Sequence, residues 1–124
     1  MDNKKILIID DETDFIVTTE KILYDAGYIV LSAPGAEEGI RMAKEKRPDL
    51  ILLDILMPGM SGVEAAEVLK NDVYTKNIPI IFLTCLYSKE EEALKGHIIK
   101  DNVFLPKPCE KEEMLNEIKK QLKA

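Results

Sequence analysis

Five polar residues follow short apolar runs, and their types suit one chemistry. Asp54 ends the run Leu50-Ile51-Leu52-Leu53, Asp10 and Asp11 end Ile6-Leu7-Ile8-Ile9, Thr84 ends Ile80-Ile81-Phe82-Leu83, and Lys107 follows Val103-Phe104-Leu105-Pro106. Unbroken apolar runs of this length read as strands buried on both faces, the mark of a parallel sheet covered by helices. Open α/β sheets bind ligands at the carboxyl ends of their strands. There, three carboxylates would repel one another and disfavour one another's charged forms. Such a set makes sense around a divalent cation. Mg²⁺ takes oxygen ligands and is held by one or two carboxylates together with a phosphate oxygen. A lysine and a hydroxyl both suit phosphoryl oxygens. Carboxylate nucleophile, metal and lysine are the parts needed to take a phosphoryl group onto Asp54.

The elements that would position these groups alternate. Strands are predicted at Lys4 to Ile9, Tyr28 to Ser32, Asp49 to Leu53, Ile80 to Leu83 and Asn102 to Leu105. A first helix, capped by Thr13 or Asp14, runs to about Ala26 with Phe15, Thr19, Ile22, Leu23 and Ala26 on one face, and Gly27 stops it. The second spans Ala36 to Lys46 with Ile40 and Ala43 inward, and the third Val63 to Asn71 with Ala65, Ala66 and Leu69 inward. Ser88 and Glu91 form a capping box for a polar fourth helix reaching about Ile99. The last, about Glu110 to Lys123, buries Met114, Leu115, Ile118 and Leu122. Alternating strands and helices mean parallel strands, right-handed crossovers and helices on both faces. Asp10, Asp11, Asp54, Thr84 and Lys107 then share one edge.

Composition bounds the alternatives. The chain has 124 residues, 46% hydrophobic and 32% charged, with a net charge of −6. That is one domain's length, read as a single domain over residues 1–124, with a real core. The acidic balance argues against direct nucleic-acid binding, which needs a basic face. No apolar run approaches the ~20 residues of a membrane span. Met1-Asp2-Asn3-Lys4-Lys5 leads into only four apolar residues before Asp10, so no signal peptide is read and a cytoplasmic chain is expected. Cys85 and Cys109 have no metal-ligand spacing or redox motif and read as reduced, structural thiols.

Taken together, Asp10-Asp11, the segment Asp54-Ile55-Leu56-Met57-Pro58-Gly59-Met60-Ser61-Gly62, Leu83-Thr84 and Lys107-Pro108 resemble the receiver domains of two-component response regulators, in order and spacing, over the whole chain. The resemblance implies a flavodoxin-like, doubly wound five-stranded parallel sheet of order 2-1-3-4-5. It implies that Asp54 is phosphorylated by a histidine kinase or phosphotransfer protein. Asp11 and Asp54 would bind Mg²⁺ through their side chains, Asp10 mainly through water, and Leu56 through its backbone carbonyl. Lys107 would pair with the carboxylate and then the phosphate, and Thr84 would hydrogen-bond the phosphate. Phe104 matches the family's aromatic switch position. The domain would catalyse only its own phosphorylation and slow dephosphorylation. Its output would be a changed surface on the fourth helix, fifth strand and last helix, read by a downstream effector or output domain. A homodimer is left open.

The chain departs from the family pattern at several points. Cys85 stands where alanine is usual, Leu56 and Leu86 are apolar at positions that tune dephosphorylation, Lys100 replaces a glycine, and Phe104 lacks the hydroxyl of the tyrosine form. Plainer readings exist for single residues: Asp10 and Asp11 as helix-capping acids, Thr84 as a strand end, Phe104 as core. Two rival functions also fit parts of the pattern. A Mg²⁺-dependent phosphohydrolase with an aspartyl nucleophile commonly carries D-x-D-x-T, whereas Ile55-Leu56 follow Asp54. A docking module never phosphorylated would be favoured by loss of Asp11 or Lys107, and both are present.

Overall fold

A computed structural model describes residues 3–84 and 103–123. Its five strands are β1 (Lys5–Ile9), β2 (Ile29–Ala33), β3 (Leu50–Asp54), β4 (Ile80–Thr84) and β5 (Val103–Pro106), all parallel in the order β2-β1-β3-β4-β5. This is the doubly wound sheet expected. The helices are α1 (Thr13–Asp25), α2 (Ala36–Lys46), α3 (Gly62–Lys70) and a C-terminal helix (Lys111–Lys123). Expectations for Cys85, Leu86, the Ser88–Glu91 capping box, the fourth helix and Lys100 lie outside the described residues.

Strand side chains alternate between the two faces, and the core divides accordingly. Leu7, Ile9, Ile51, Leu53 and Phe82 pack under α2 and α3 with Ile40, Ala43, Ala65 and Leu69. Ile6, Ile8, Leu50, Leu52, Ile81 and Leu83 pack under α1 and the C-terminal helix with Leu23, Met114 and Ile118. β3 is buried throughout because it has a strand on each side and helices on both faces. β2 is an edge strand, and Ile29 at its start is exposed. α2 lies so close to β1 that a Cβ on Gly39 would fall 2.7 Å from Ile9 Cγ1.

The helix ends differ from the sequence expectation at three points. Neither Thr13 nor Asp14 caps α1. Glu12 is the N-cap and makes no side-chain cap bond, while Asp10 Oδ1 accepts its backbone N–H at 2.9 Å. Ala26 is exposed rather than inward, because it is already the C-cap residue and Gly27 turns the chain at φ 97°. α3 begins at Gly62 under a full capping box. The Ser61 hydroxyl accepts the Glu64 N–H, and the Glu64 carboxylate accepts the Ser61 N–H, both at 3.2 Å. The sequence expectation puts this start one residue later, at Val63, without the box.

Candidate functional site

The sheet carries the polar residues to one edge. Asp10 follows β1 and is anchored by its N–H to the Ala33 carbonyl, 3.1 Å away. Asp54 is the last residue of β3, paired in register with Leu83. Thr84 ends β4, and its carbonyl accepts the Lys107 N–H at 2.7 Å. That bond ties the turn after β5 to β4 and aims Lys107 back across the sheet edge. The Lys107–Pro108 peptide is cis. Asp10, Asp54, Thr84 and Lys107 are all buried, so four of the five expected residues form one enclosed polar cluster.

α3 closes this edge from one side. A Cβ on Gly62 would overlap the Asp54 carbonyl oxygen and lie 2.8 Å from Ile55 Cα. Glycine is therefore demanded by close approach: the helix start sits against the backbone of the candidate nucleophile. The Gly62 N–H donates to the Ile55 carbonyl at 2.9 Å, which holds the intervening loop closed.

Lys107 is the only cation in the cluster among the described residues. Its Nζ lies 2.9 Å from Asp10 Oδ2 and 3.5 Å from Asp54 Oδ2, and it donates to Glu12 Oε1. The Phe15 ring centroid is 4.7 Å away, a further favourable contact for an ammonium. Asp10 Oδ2 is close to Nζ without hydrogen-bond alignment, and Asp54 Oδ1 has no hydrogen-bond partner at all. Buried, unsatisfied carboxylate oxygens are unfavourable.

The charges are out of balance in the same sense. Burial foremost, then the charge of Asp10, pushes the Asp54 carboxyl up to about 7; Lys107 and the Leu56 backbone N–H pull it down, and Asp11 pushes it up again. Burial alone would lower the Lys107 pKa, but Glu12, Asp10 and Asp54 outweigh it and hold the ammonium above its ordinary value. One lysine thus faces several acids. Carboxylate oxygens of Asp10, Glu12 and Asp54 lie within 4.8 Å of one another. The acidic edge suits a hard divalent cation: its donors are oxygens, Asp54 Oδ1 has no hydrogen-bond partner among the described residues, and the acids outnumber the one lysine.

The structure places the remaining expected residues as follows. Asp11 is exposed, and its carboxylate is not among the three that converge, although its charge reaches Asp54. Leu56 has an exposed side chain, and its backbone N–H acts on Asp54. Phe104 is half-buried and stacks on Phe82, with ring centroids 5.3 Å apart and planes 24° from parallel. Phe82 and Phe104 are register partners, and Thr84 is two positions further along β4 on the same face. Glu12 and Gly62 were given no role from sequence. The signals were an acidic run of three at the end of the first strand and a glycine at a helix start. Cys109 is half-buried, and burial foremost, with the nearby Glu113 charge, pushes its thiol up to about 11. A thiol held protonated suits packing rather than redox work. The largest described cavity, about 780 Å³, is lined by Asn3, Tyr24, Gly27 and Ile29 at the opposite ends of the strands and holds none of this chemistry.

The sequence matches the family described as the response regulator receiver domain over residues 6–119. It is 36% identical over 123 residues to the phosphate regulon transcriptional regulatory protein PhoB of Pseudomonas aeruginosa, covering 99% of this chain and 53% of that protein. It is 34% identical to PilH of Pseudomonas aeruginosa, covering 92% of this chain and 93% of that protein. The chain thus spans about half the length of the transcriptional regulators it matches and most of the length of PilH. The structure superimposes on chemotaxis protein CheY4 of Vibrio cholerae with a TM-score of 0.85 at 29% identity, covering 96% of this chain and 98% of that one.

Proposed function

This chain belongs to the response regulator receiver domain family, and on that premise we propose that Asp54 accepts the phosphoryl group, with residues 1–124 acting as one receiver unit. Family members take phosphate from histidine kinases and act on output domains or effectors. They are signalling domains rather than typical enzymes. The observation that carries the assignment is Asp54 itself: 2% exposed at the end of β3, with Oδ1 unpartnered and Oδ2 3.5 Å from Lys107 Nζ.

In this reading an Asp54 oxygen attacks phosphorus on the donor, forming a P–O bond as the donor's P–N bond breaks. Asp54 must be ionised to attack, and its raised pKa leaves it partly protonated near neutral pH. Lys107 therefore has two roles: it favours the carboxylate, and it meets the phosphoryl oxygens afterwards. Thr84, next after Leu83, the register partner of Asp54, would follow the phosphoryl group. Mg²⁺, held by Asp11, Asp54 and the Leu56 carbonyl with Asp10 acting mainly through water, would neutralise charge on the transferring group. The unpartnered Asp54 Oδ1 supports such a cation.

Readout is assigned to Thr84 and Phe104. The two lie on one face and both neighbour Phe82, so movement of Thr84 toward a phosphoryl group would alter the packing beside the Phe104 ring. The surface of β5 and the C-terminal helix, with the fourth helix expected from sequence, would then select a protein partner. The net charge of −6 supports protein rather than nucleic-acid contact. Incubation with Mg²⁺ and acetyl phosphate tests the assignment by intact mass. One added phosphoryl group is expected, lost in Asp54→Asn. Labelling of Asp54→Asn equal to the parent overturns it, and sustained turnover of an external phosphomonoester would instead favour the hydrolase.

A further inference from the structure

We propose that Glu12 is a latch on Lys107: it occupies the ammonium in the unphosphorylated domain and must let go before Lys107 can engage a phosphoryl group on Asp54. The inference rests on the assignment of Asp54 as acceptor. An ammonium has three donors, and here carboxylates surround it. Nζ donates to Glu12 Oε1, lies 2.9 Å from Asp10 Oδ2, and stands furthest, at 3.5 Å, from Asp54 Oδ2. Nζ is held closer to Glu12 and Asp10 than to Asp54, so closing on a phosphoryl group carried by Asp54 moves it away from one of those two nearer partners.

The two candidates to yield are unequal. Asp10 is wholly enclosed, and its Oδ1 is already committed to the Glu12 N–H. Withdrawing the lysine from Asp10 would strand a buried charge, which is strongly unfavourable. The Glu12 side chain is 59% exposed, against 4% for Lys107. Its carboxylate can swing out and be rehydrated at little loss. Glu12 also borders a cavity of about 270 Å³ with Phe15, Lys107 and Pro108. Through its contact with Nζ, Glu12 thus stabilises the empty site and opposes loading. Asp11, the next acid along, is not one of the converging carboxylates.

Beryllofluoride with Mg²⁺ is the probe for the loaded state, and Mg²⁺ alone for the metal. Glu12→Gln should bind beryllofluoride about three- to tenfold more tightly, the ratio that a partly exposed charged hydrogen bond is worth. Its affinity for Mg²⁺ alone should fall by less than that factor. Glu12→Asp, one methylene shorter, keeps the charge but cannot reach Nζ, and should show most of the same gain. The side-chain ¹⁵N resonance of Lys107 should shift in both variants before any anion is added. Equal or weaker beryllofluoride binding by Glu12→Gln overturns the latch. So does parental behaviour of Glu12→Asp, which would mean a long-range charge effect. A loss of Mg²⁺ affinity of tenfold or more overturns it too, since Glu12 would then be a metal ligand. If the parent itself fails to bind beryllofluoride, the acceptor assignment falls and the latch with it; an unchanged variant beside a binding parent removes the latch alone.

Discussion

Replacing Asp54 by Asn removes a buried charge while keeping the side chain's shape, and the structure sets both the sign and the size of the effect. Burial foremost and the Asp10 charge raise the Asp54 pKa from 3.8 to about 7, against the pull of Lys107. An acid whose folded pKa lies above its unfolded value holds its proton more tightly in the fold. Below about pH 4 it is protonated in both states and contributes nothing. Between about pH 4 and about pH 7 the unfolded chain releases the proton that the fold retains, so stability falls as pH rises; above about pH 7 the whole penalty stands. About three units at about 1.36 kcal/mol each put the ceiling near ~4 kcal/mol. Relaxation around a site that also holds Lys107 lowers the expected figure to about 2 kcal/mol. Asp54→Asn has no such titration. At pH 8 without divalent cation it should be more stable than the parent by about 2 kcal/mol, about 8 °C in Tm for a chain of this size. Urea unfolding of both proteins from pH 4 to pH 8 should show the gap closing toward the acid end. Saturating Mg²⁺ at pH 8 should narrow it as well, by stabilising only the parent's carboxylate. A gap that is absent at pH 8, or equal at pH 4 and pH 8, refutes the reasoning: Lys107 would already neutralise Asp54.

Lys107→Ala strands Asp10 and Asp54 without their cation, and breaking a buried pair this way costs about 3–5 kcal/mol. Urea unfolding at pH 8 should show that loss, and adding Asp54→Asn should recover part of it; no recovery would mean that the loss comes from packing against Phe15. Gly62→Ala sets a methyl against the Asp54 carbonyl, and such overpacking costs about 2 kcal/mol. Thermal unfolding checks it, and a Tm within a degree of the parent would show that the start of α3 can move.

The architecture and most of the site are legible in the order of residues. Hydrophobic period is a local property, so uninterrupted runs such as Leu50-Ile51-Leu52-Leu53 announced buried parallel strands. The alternation of elements then put Asp10, Asp54, Thr84 and Lys107 on one edge, and four buried side chains there agree. The family pattern singled out Phe104, whose stacking on Phe82 required the register of β4 on β5.

Folding alone settles which of several similar groups meets which. From sequence, Thr13 or Asp14 is the expected cap of α1. In the fold Asp10 Oδ1 takes the Glu12 N–H, and that bond helps fix where the first turn of α1 points its acids. Glu12 then reaches a lysine 95 residues away. No local pattern separates Asp11 from Glu12, since both are acids one residue apart. The outcome depends on where the turn after β5 delivers Nζ, and so on the Lys107 N–H to Thr84 carbonyl bond across two strands. Periodicity encodes which face a residue takes; the direction of a side chain at a strand end is settled by through-space neighbours that the chain assembles only on folding.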